Sequence, residues 1–333
     1  MQKLKIVVLA AAMIALAHNA CAANITTQID DEIPEATRHT IHAVNNRLFM
    51  SIMDNKPDVM INMFVAEGRA GGSIEADVNS SYKKLGELAR GAVFTTLHEY
   101  FIDVKERGAV ALPVPGDMTN KFLINVEGGN GPLFVSLLTS NGRSRDIMIA
   151  FIYIKLNDEW QLYGFNYGLY RVGGKTVVQW YDEAQKMYKN GWEVPAMLWI
   201  QFANAFIRPV PFVQYEREAE MLDFFKRSAA EAAKKYKFPM KAVWVKNTPM
   251  IYGFDTKLDK SDKLMPVIIY VTKYNLNSGL AIQSEADAIT ANIEKVTPGI
   301  TRCSAEIGYE AFSASPLDDG KDRKYRAVMS KVR

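Results

Sequence analysis

The sequence predicts an α+β fold, with helices and strands arranged in successive blocks. Apolar residues such as Ile41 and Leu48 follow helical spacing in the first part of the chain. From residue 93 the period of the pattern changes to two, which is typical of β-strands. Helical spacing returns in residues 175–238, and strand alternation resumes after residue 240. Helices and strands in separate blocks are typical of the α+β class.

Residues 1–22 have the pattern of a cleaved export signal. A short basic start precedes an apolar run over residues 6–17, and Ala20-Cys21-Ala22 supplies a small-x-small cleavage pattern. The run is shorter than the roughly 20 apolar residues that span a bilayer. We therefore expect cleavage after Ala22, a periplasmic or secreted protein, and no transmembrane segment in the mature chain. The alternative is a lipoprotein anchored at Cys21.

The composition excludes several classes of protein. If Cys21 leaves with the signal, Cys303 is the one thiol of the mature chain, so an internal disulfide is excluded. The net charge of +3 falls to about +1 without the two lysines of the signal segment, so no nucleic-acid partner is predicted. With 48% hydrophobic and 23% charged residues, the chain has the composition of an ordinary globular protein.

Residues 35–172 form the first predicted domain, which starts with three helical stretches. The first begins after Pro34, the second lies in DNKPDVMINMF, and the third covers residues 76–90. A strand follows in TTLHEYFIDVK, whose alternation places five side chains on one face: Phe94, Thr96, His98, Tyr100 and Ile102.

A long antiparallel meander completes this domain. Turns at Asn141-Gly142 and Asn157-Asp158 separate three strand-like runs, and residues 147–154 are apolar on both faces, as in a covered central strand. Helices followed by such a meander resemble the NTF2-like fold, the cone of the ketosteroid isomerase and scytalone dehydratase superfamily. The phrase KLNDEWQLYGFN is similar to the last hairpin of many such domains. A cystatin-like helix-on-sheet domain is the alternative.

Four side chains are predicted to line a cavity in this cone. His98 and Tyr100 share one strand face, and Tyr163 and Tyr167 share another. The resemblance implies that an enzyme would also place a carboxylate in the cavity, where desolvation tunes it. Glu99 alternates to the face opposite His98, so no catalytic residue is assigned. Walls of this kind would take an apolar or aromatic ligand.

Searches for other chemical motifs find none. Glu35, His39 and His42 lie near one face of the first helix, but a metal site needs further ligands, and we predict a solvated helix face. The glycines near residue 70 fit no phosphate-binding spacing, and the nucleophile-elbow and zinc-protease patterns do not occur. No metal and no cofactor are predicted.

Residues 175–238 predict a helical connector, made of one helical hairpin and one further helix. The hairpin has spacing similar to a tetratricopeptide repeat, although a copy shifted by 34 residues retains one member of the set. Such repeats bury their faces by stacking, and the second helix is apolar on nearly every side, so we predict a buried scaffold. The members of the set are Trp180, Ala184, Tyr188, Gly191, Ala196 and Ala203.

Residues 240–333 predict a small C-terminal α+β domain that resembles no family. Strand-like alternation occurs in KAVWV, PMIYGF and MPVIIYVTKY, a helix is expected over residues 284–296, and two further strand-like runs follow. We expect an exported, non-catalytic protein of the bacterial cell envelope that binds an apolar small molecule or an envelope protein. The alternatives are an assembly component that docks through the hairpin and an isomerase, dehydratase or hydrolase that uses the cone.

Overall fold

The structure, a computed structural model, describes residues 25–70, 73–89, 91–104, 108–113, 121–128, 131–141, 145–317 and 324–332. Three predictions lie outside these residues: the signal segment over residues 1–22, the alternative anchor Cys21, and the Gly142 half of one predicted turn.

Helices and strands alternate in blocks along the chain, and the predicted α+β class is confirmed. The helices are α1 (Glu35–Met53), α2 (Pro57–Met63), α3 (Ala66–Ala70), α4 (Ser73–Ala89), α5 (Val177–Lys189), α6 (Glu193–Asn204), α7 (Glu218–Lys235) and α8 (Gly279–Ile293). The strands are β1 (Ile25–Ile29), β2 (Val93–Val104), β3 (Gly108–Pro113), β4 (Phe122–Gly128), β5 (Leu133–Asn141), β6 (Arg145–Leu156), β7 (Glu159–Val172), β8 (Lys175–Thr176), β9 (Val213–Tyr215), β10 (Met240–Lys241), β11 (Met250–Leu258), β12 (Leu264–Val271), β13 (Glu306–Phe312) and β14 (Tyr325–Lys331).

The chain divides into two compact units. The first unit combines Met1–Arg171 with Arg208–Tyr215, and the second combines Val172–Ile207 with Glu216–Arg333. The second unit therefore holds most of the expected connector together with the expected C-terminal domain. A short return segment of the connector belongs to the first unit, where β9 pairs antiparallel with β4.

In the first unit, helices pack on a curled antiparallel sheet with the strand order β1-β2-β5-β6-β7. The core between helices and sheet contains Ile41 and Leu48 of α1, Tyr82 of α4, and Phe134 and Phe151 of the sheet. Within residues 146–154 of β6 every residue but one is buried, as the continuous apolar run predicts. The turn before β7 has positive φ at Asn157 and Asp158, which suits a tight hairpin.

Strand β2 departs from simple alternation. A bulge between Thr96 and His98 shifts its register against β5, so residues before and after it change faces. Phe94 therefore packs in the helix-side core with Phe101, and its ring lies 4.7 Å from that of Phe49 on α1. The expectation that Phe94 shares a face with His98 was wrong, because it assumed an unbroken period of two.

The second unit begins with the helical hairpin α5–α6. Thr176 caps α5 in a capping box with Gln179, and Gly191 turns the chain with a φ of 76°. Edge-on aromatic contacts join the two helices, since the ring of Trp180 lies 6.5 Å from Trp199. Trp199 is 2% exposed, and α6 is a buried helix, as its all-round apolar pattern predicts.

Helix α7 packs against this hairpin, where the ring of Phe224 lies 5.5 Å from that of Tyr181 on α5. The C-terminal part of the second unit is helix α8 packed on a sheet with the order β10-β11-β12-β13-β14. Strands β12 and β13 are parallel, and α8 is the crossover between them. Two expectations need correction. KAVWV contributes Lys241 alone to a strand, because the chain turns through residues 242–248. Helix α8 starts at Gly279, five residues before the expected start at residue 284.

Candidate functional site

The structure separates the four side chains predicted to line a cavity. His98 and Tyr100 are neighbours on β2, and His98 Nδ1 lies 2.9 Å from Asp30 Oδ2. On the same side, the His98 ring lies 6.2 Å from that of Phe122 on β4. Tyr100 is fully buried, and within the described residues its hydroxyl has no hydrogen-bond partner. Burial raises the pKa of Tyr100, so this phenol stays neutral.

The other two predicted residues lie elsewhere. Tyr163 is 45% exposed, whereas Tyr167 packs against the helix-side core and stacks on Phe165. Burial raises the pKa of Tyr167, while a hydrogen bond with Ser81 lowers it in part. The four side chains therefore form one neighbouring pair and two separate positions.

A chain of hydrogen-bonded polar side chains joins α1 to the sheet in the first unit. His42 Nε2 lies 2.8 Å from Glu99 Oε2, and the Ser136 hydroxyl donates to Glu99 Oε1 over 3.5 Å. Asn45 Nδ2 donates to Ser136 Oγ at 3.0 Å, and the Tyr153 hydroxyl donates to Asn45 Oδ1 at 2.6 Å. We call these five residues the α1 network.

Glu99 is the electrostatic centre of the α1 network. Its side chain is 4% exposed, and this burial raises its pKa. The hydrogen bond and charge of His42, together with the charge of Arg38, lower the pKa in part. The His42 side chain is 44% exposed, so this end of the network reaches water. A carboxylate that orients an imidazole can support acid–base chemistry or simply satisfy a buried polar group.

The expected solvated helix face was right for His39 and wrong for His42. His39 is exposed, but His42 is half-buried and bonded to Glu99. The polar residues Arg38, His42 and Asn45 follow one another at spacings of four and three, along the edge of the apolar stripe of α1. From this spacing, one could have predicted that polar side chains of α1 face the sheet.

Within the described ranges, no group of three or more His, Cys, Asp or Glu side chains is placed to hold a metal ion. The Cys303 thiol donates to Ile300 O at 3.1 Å, and burial raises its pKa to about 12, which disfavours the thiolate. No helix in the described part of the chain is long and apolar enough to cross a membrane.

The second unit contains an apolar groove of about 350 Å³. Short side chains on α7 leave this space between α6 and β11, and the rings of Phe238 and Phe254 meet edge-on at 5.5 Å along it. Phe238 is 38% exposed, so part of its ring faces water. We call this space the α6–α7 groove; its apolar lining includes Val194, Met197, Ala229, Ala233, Phe238 and Phe254.

Another recess, of about 470 Å³, is lined by residues that include Asn277, Lys324 and Arg326. Lys324 directly follows residues 318–323 in the sequence, and those residues lie outside the described part of the chain. The α6–α7 groove, by contrast, is formed by described residues of one unit.

Comparison of the chain with family models, with curated proteins and with solved structures gives no significant match. Functional inference therefore depends on the geometry of the groove and of the α1 network.

Proposed function

We propose that this is an exported, non-catalytic binding protein of the bacterial cell envelope, which holds an apolar small molecule in the α6–α7 groove. The groove itself carries this proposal. Its volume of about 350 Å³ lies within the range of known ligand pockets, and its lining is mostly hydrocarbon. A ligand there would cover the exposed ring of Phe238 and remove apolar surface from water.

The distribution of polar groups supports binding over catalysis. Acid–base catalysis needs a titratable group within reach of the substrate. The lining of the α6–α7 groove contains two titratable side chains, Tyr236 and Lys237, and no carboxyl group. In the first unit, the buried carboxyl of Glu99 is hydrogen-bonded inside the α1 network. The alternative is an enzyme that uses a cavity in the cone. The hydrogen-bonded pair of His42 and Glu99 supports this alternative.

The remaining parts of the proposal come from the sequence and the fold. The pattern of residues 1–22 supports export. Helices that pack on one face of a curled antiparallel sheet support an NTF2-like assignment for the first unit. Docking through the helical hairpin has less support, because Trp199 and Ala196 of α6 are buried.

The test is binding of a neutral apolar fluorophore, N-phenyl-1-naphthylamine, to the full mature chain. We expect saturable binding that Ala233→Trp weakens about tenfold or more, since an indole at this position occupies the groove. Ala230→Trp is the matched control, because Ala230 is exposed on the same helix and is not a lining residue.

Circular dichroism of both variants establishes that they remain folded. If the native chain fails to bind the fluorophore, or if both variants bind it as well as the native chain, the groove is not the binding site. Equal loss in both variants would also contradict the proposal.

A further inference from the structure

We propose that the α6–α7 groove selects amphiphiles with a long apolar chain and an anionic head group, and that Lys237 binds the head group. This inference rests on the proposed function of the groove. It names the class of ligand from the charge at one end of an otherwise apolar lining.

Lys237 is the positively charged side chain among the residues that line the groove. Its Nζ donates to Ala233 O at 3.0 Å, which uses one of the three donors of an ammonium group. Among the described residues no carboxylate forms an ion pair with Lys237. The neighbouring Lys235 differs, since its Nζ lies 2.8 Å from Glu193 Oε2. Lys237 thus keeps donors for an external anion.

The surroundings of Lys237 add positive charge and no competing anion within the lining. Helix α7 ends in Lys234 and Lys235, and in the described part of the chain Lys234 forms no ion pair. Tyr236 also lines the groove, and burial raises its pKa, so the phenol adds no negative charge. Positive charge at this end of the groove attracts an anionic head group.

The rest of the lining suits a hydrocarbon chain. Ala229, Ala232 and Ala233 present methyl groups along α7, and Phe238 and Phe254 face them with aromatic carbon. Each methylene group buried on such a surface raises affinity about fourfold. The hydrocarbon part of an amphiphile lying along the groove would cover its apolar surface. The anionic head group would then lie at Lys237 and pair with its ammonium group.

The test measures how well four ligands of equal chain length displace N-phenyl-1-naphthylamine from the mature protein, below their micelle concentrations. The ligands are dodecanoate, dodecyl phosphate, dodecanol and dodecylammonium. We expect at least one of the two anions to bind about three to ten times more tightly than dodecanol, and dodecylammonium to bind most weakly. Preference between the two anions identifies the head group as carboxylate or phosphate.

Lys237→Met should abolish the advantage of the anions over dodecanol. Lys226→Met is the matched control, because Lys226 is exposed on α7 and does not line the groove, and it should retain the advantage. If dodecanol binds as tightly as both anions to the native chain, the anionic head group is refuted and apolar binding stands. If Lys237→Met keeps the preference, Lys237 is not the residue that binds the head group and the inference is overturned. If neither the fluorophore nor any of the four ligands binds, the proposed function itself fails.

Discussion

Glu99 in the first unit and Glu285 in the second are both buried between a helix and a sheet, and the two units accommodate them differently. Glu99 and Glu285 are both 3% exposed. In the first unit, His42 bonds to Glu99, and the charge of Arg38 adds to the attraction. In the second unit, both carboxyl oxygens of Glu285 are buried without a hydrogen-bond partner among the described residues, and the nearby hydroxyls of Thr272 and Tyr270 lower its pKa only in part. Burial raises the pKa of both glutamates.

The difference shows how strongly a buried carboxyl group depends on its neighbours. His42, whose side chain is 44% exposed, stabilises the ionised form of Glu99 by its hydrogen bond and its charge. Glu285 has no hydrogen-bond partner among the described residues, so its neutral form stays favoured as the pH rises. The stability of the first unit should therefore depend on the partners of Glu99, and that of the second unit on the protonation of Glu285.

The largest effect is expected from Asn45→Ala in the α1 network. This change removes the partner of the Ser136 hydroxyl and of the Tyr153 hydroxyl, both of which are buried. We expect the free energy of unfolding to fall by about 2–4 kcal/mol, measured by urea denaturation. Asn46→Ala is the control, since Asn46 is exposed on the same helix, and a change below about 0.5 kcal/mol is expected. Equal effects of the two variants would show that the network does not stabilise the first unit.

His42→Ala should have an intermediate effect. It leaves the buried carboxyl of Glu99 without its strongest partner, but the exposed site of His42 admits water. We expect a loss of about 1–3 kcal/mol, below the usual cost of breaking a fully buried pair. His39→Ala, one turn earlier and exposed, should change the stability by less than about 0.5 kcal/mol. A loss as small for His42→Ala as for His39→Ala would contradict the assigned pair.

The smallest effect is a pH dependence that Glu285→Gln should remove. The folded-state pKa of Glu285 is raised above the ordinary value of 4.5, so its favourable contribution is complete below that value. The contribution is lost as the pH rises through the raised pKa, because the unfolded chain ionises first. Melting curves between pH 4 and pH 8 should show a smaller loss in Glu285→Gln than in the native chain, because the raised pKa of Glu99 contributes a loss of the same sign to both.

Glu216→Gln is the matched control for that series, because Glu216 is an exposed glutamate of the same unit. It should keep the pH dependence of the native chain. Identical curves for the native chain and Glu285→Gln would mean that the carboxyl of Glu285 does not titrate abnormally.

Local patterns were sufficient for several features of this fold. The all-round apolar composition of α6 predicted its burial, and Asn157-Asp158 predicted the turn before β7. The alternation of KAVWV predicted a strand, and this prediction was wrong. Val243 and Val245 donate backbone hydrogen bonds within a turn and not to a neighbouring strand. Alternation alone does not reveal where a backbone finds its partners.

The site features depend on contacts between distant parts of the chain. His42 and Glu99 are 57 residues apart, and the spacing of polar residues on α1 does not indicate which side chain of the sheet His42 meets. The α6–α7 groove likewise needs Phe254 of β11 opposite alanines of α7, which no periodicity indicates. His98 and Tyr100 were correctly paired on one face, because the bulge of β2 lies before both of them.

The return of Arg208–Tyr215 to the first unit has a consequence for biosynthesis. Val213 of β9 pairs with Ile124 of β4, so the three-stranded sheet β3-β4-β9 needs residues on both sides of the hairpin α5–α6. A ribosome that makes this chain from its N-terminus must release the whole hairpin before that sheet can close. A truncated gene ending at Arg171 would encode α1 to α4 and still lack one strand of the first unit, so a fragment that contains this sheet must extend through Tyr215 and include the hairpin.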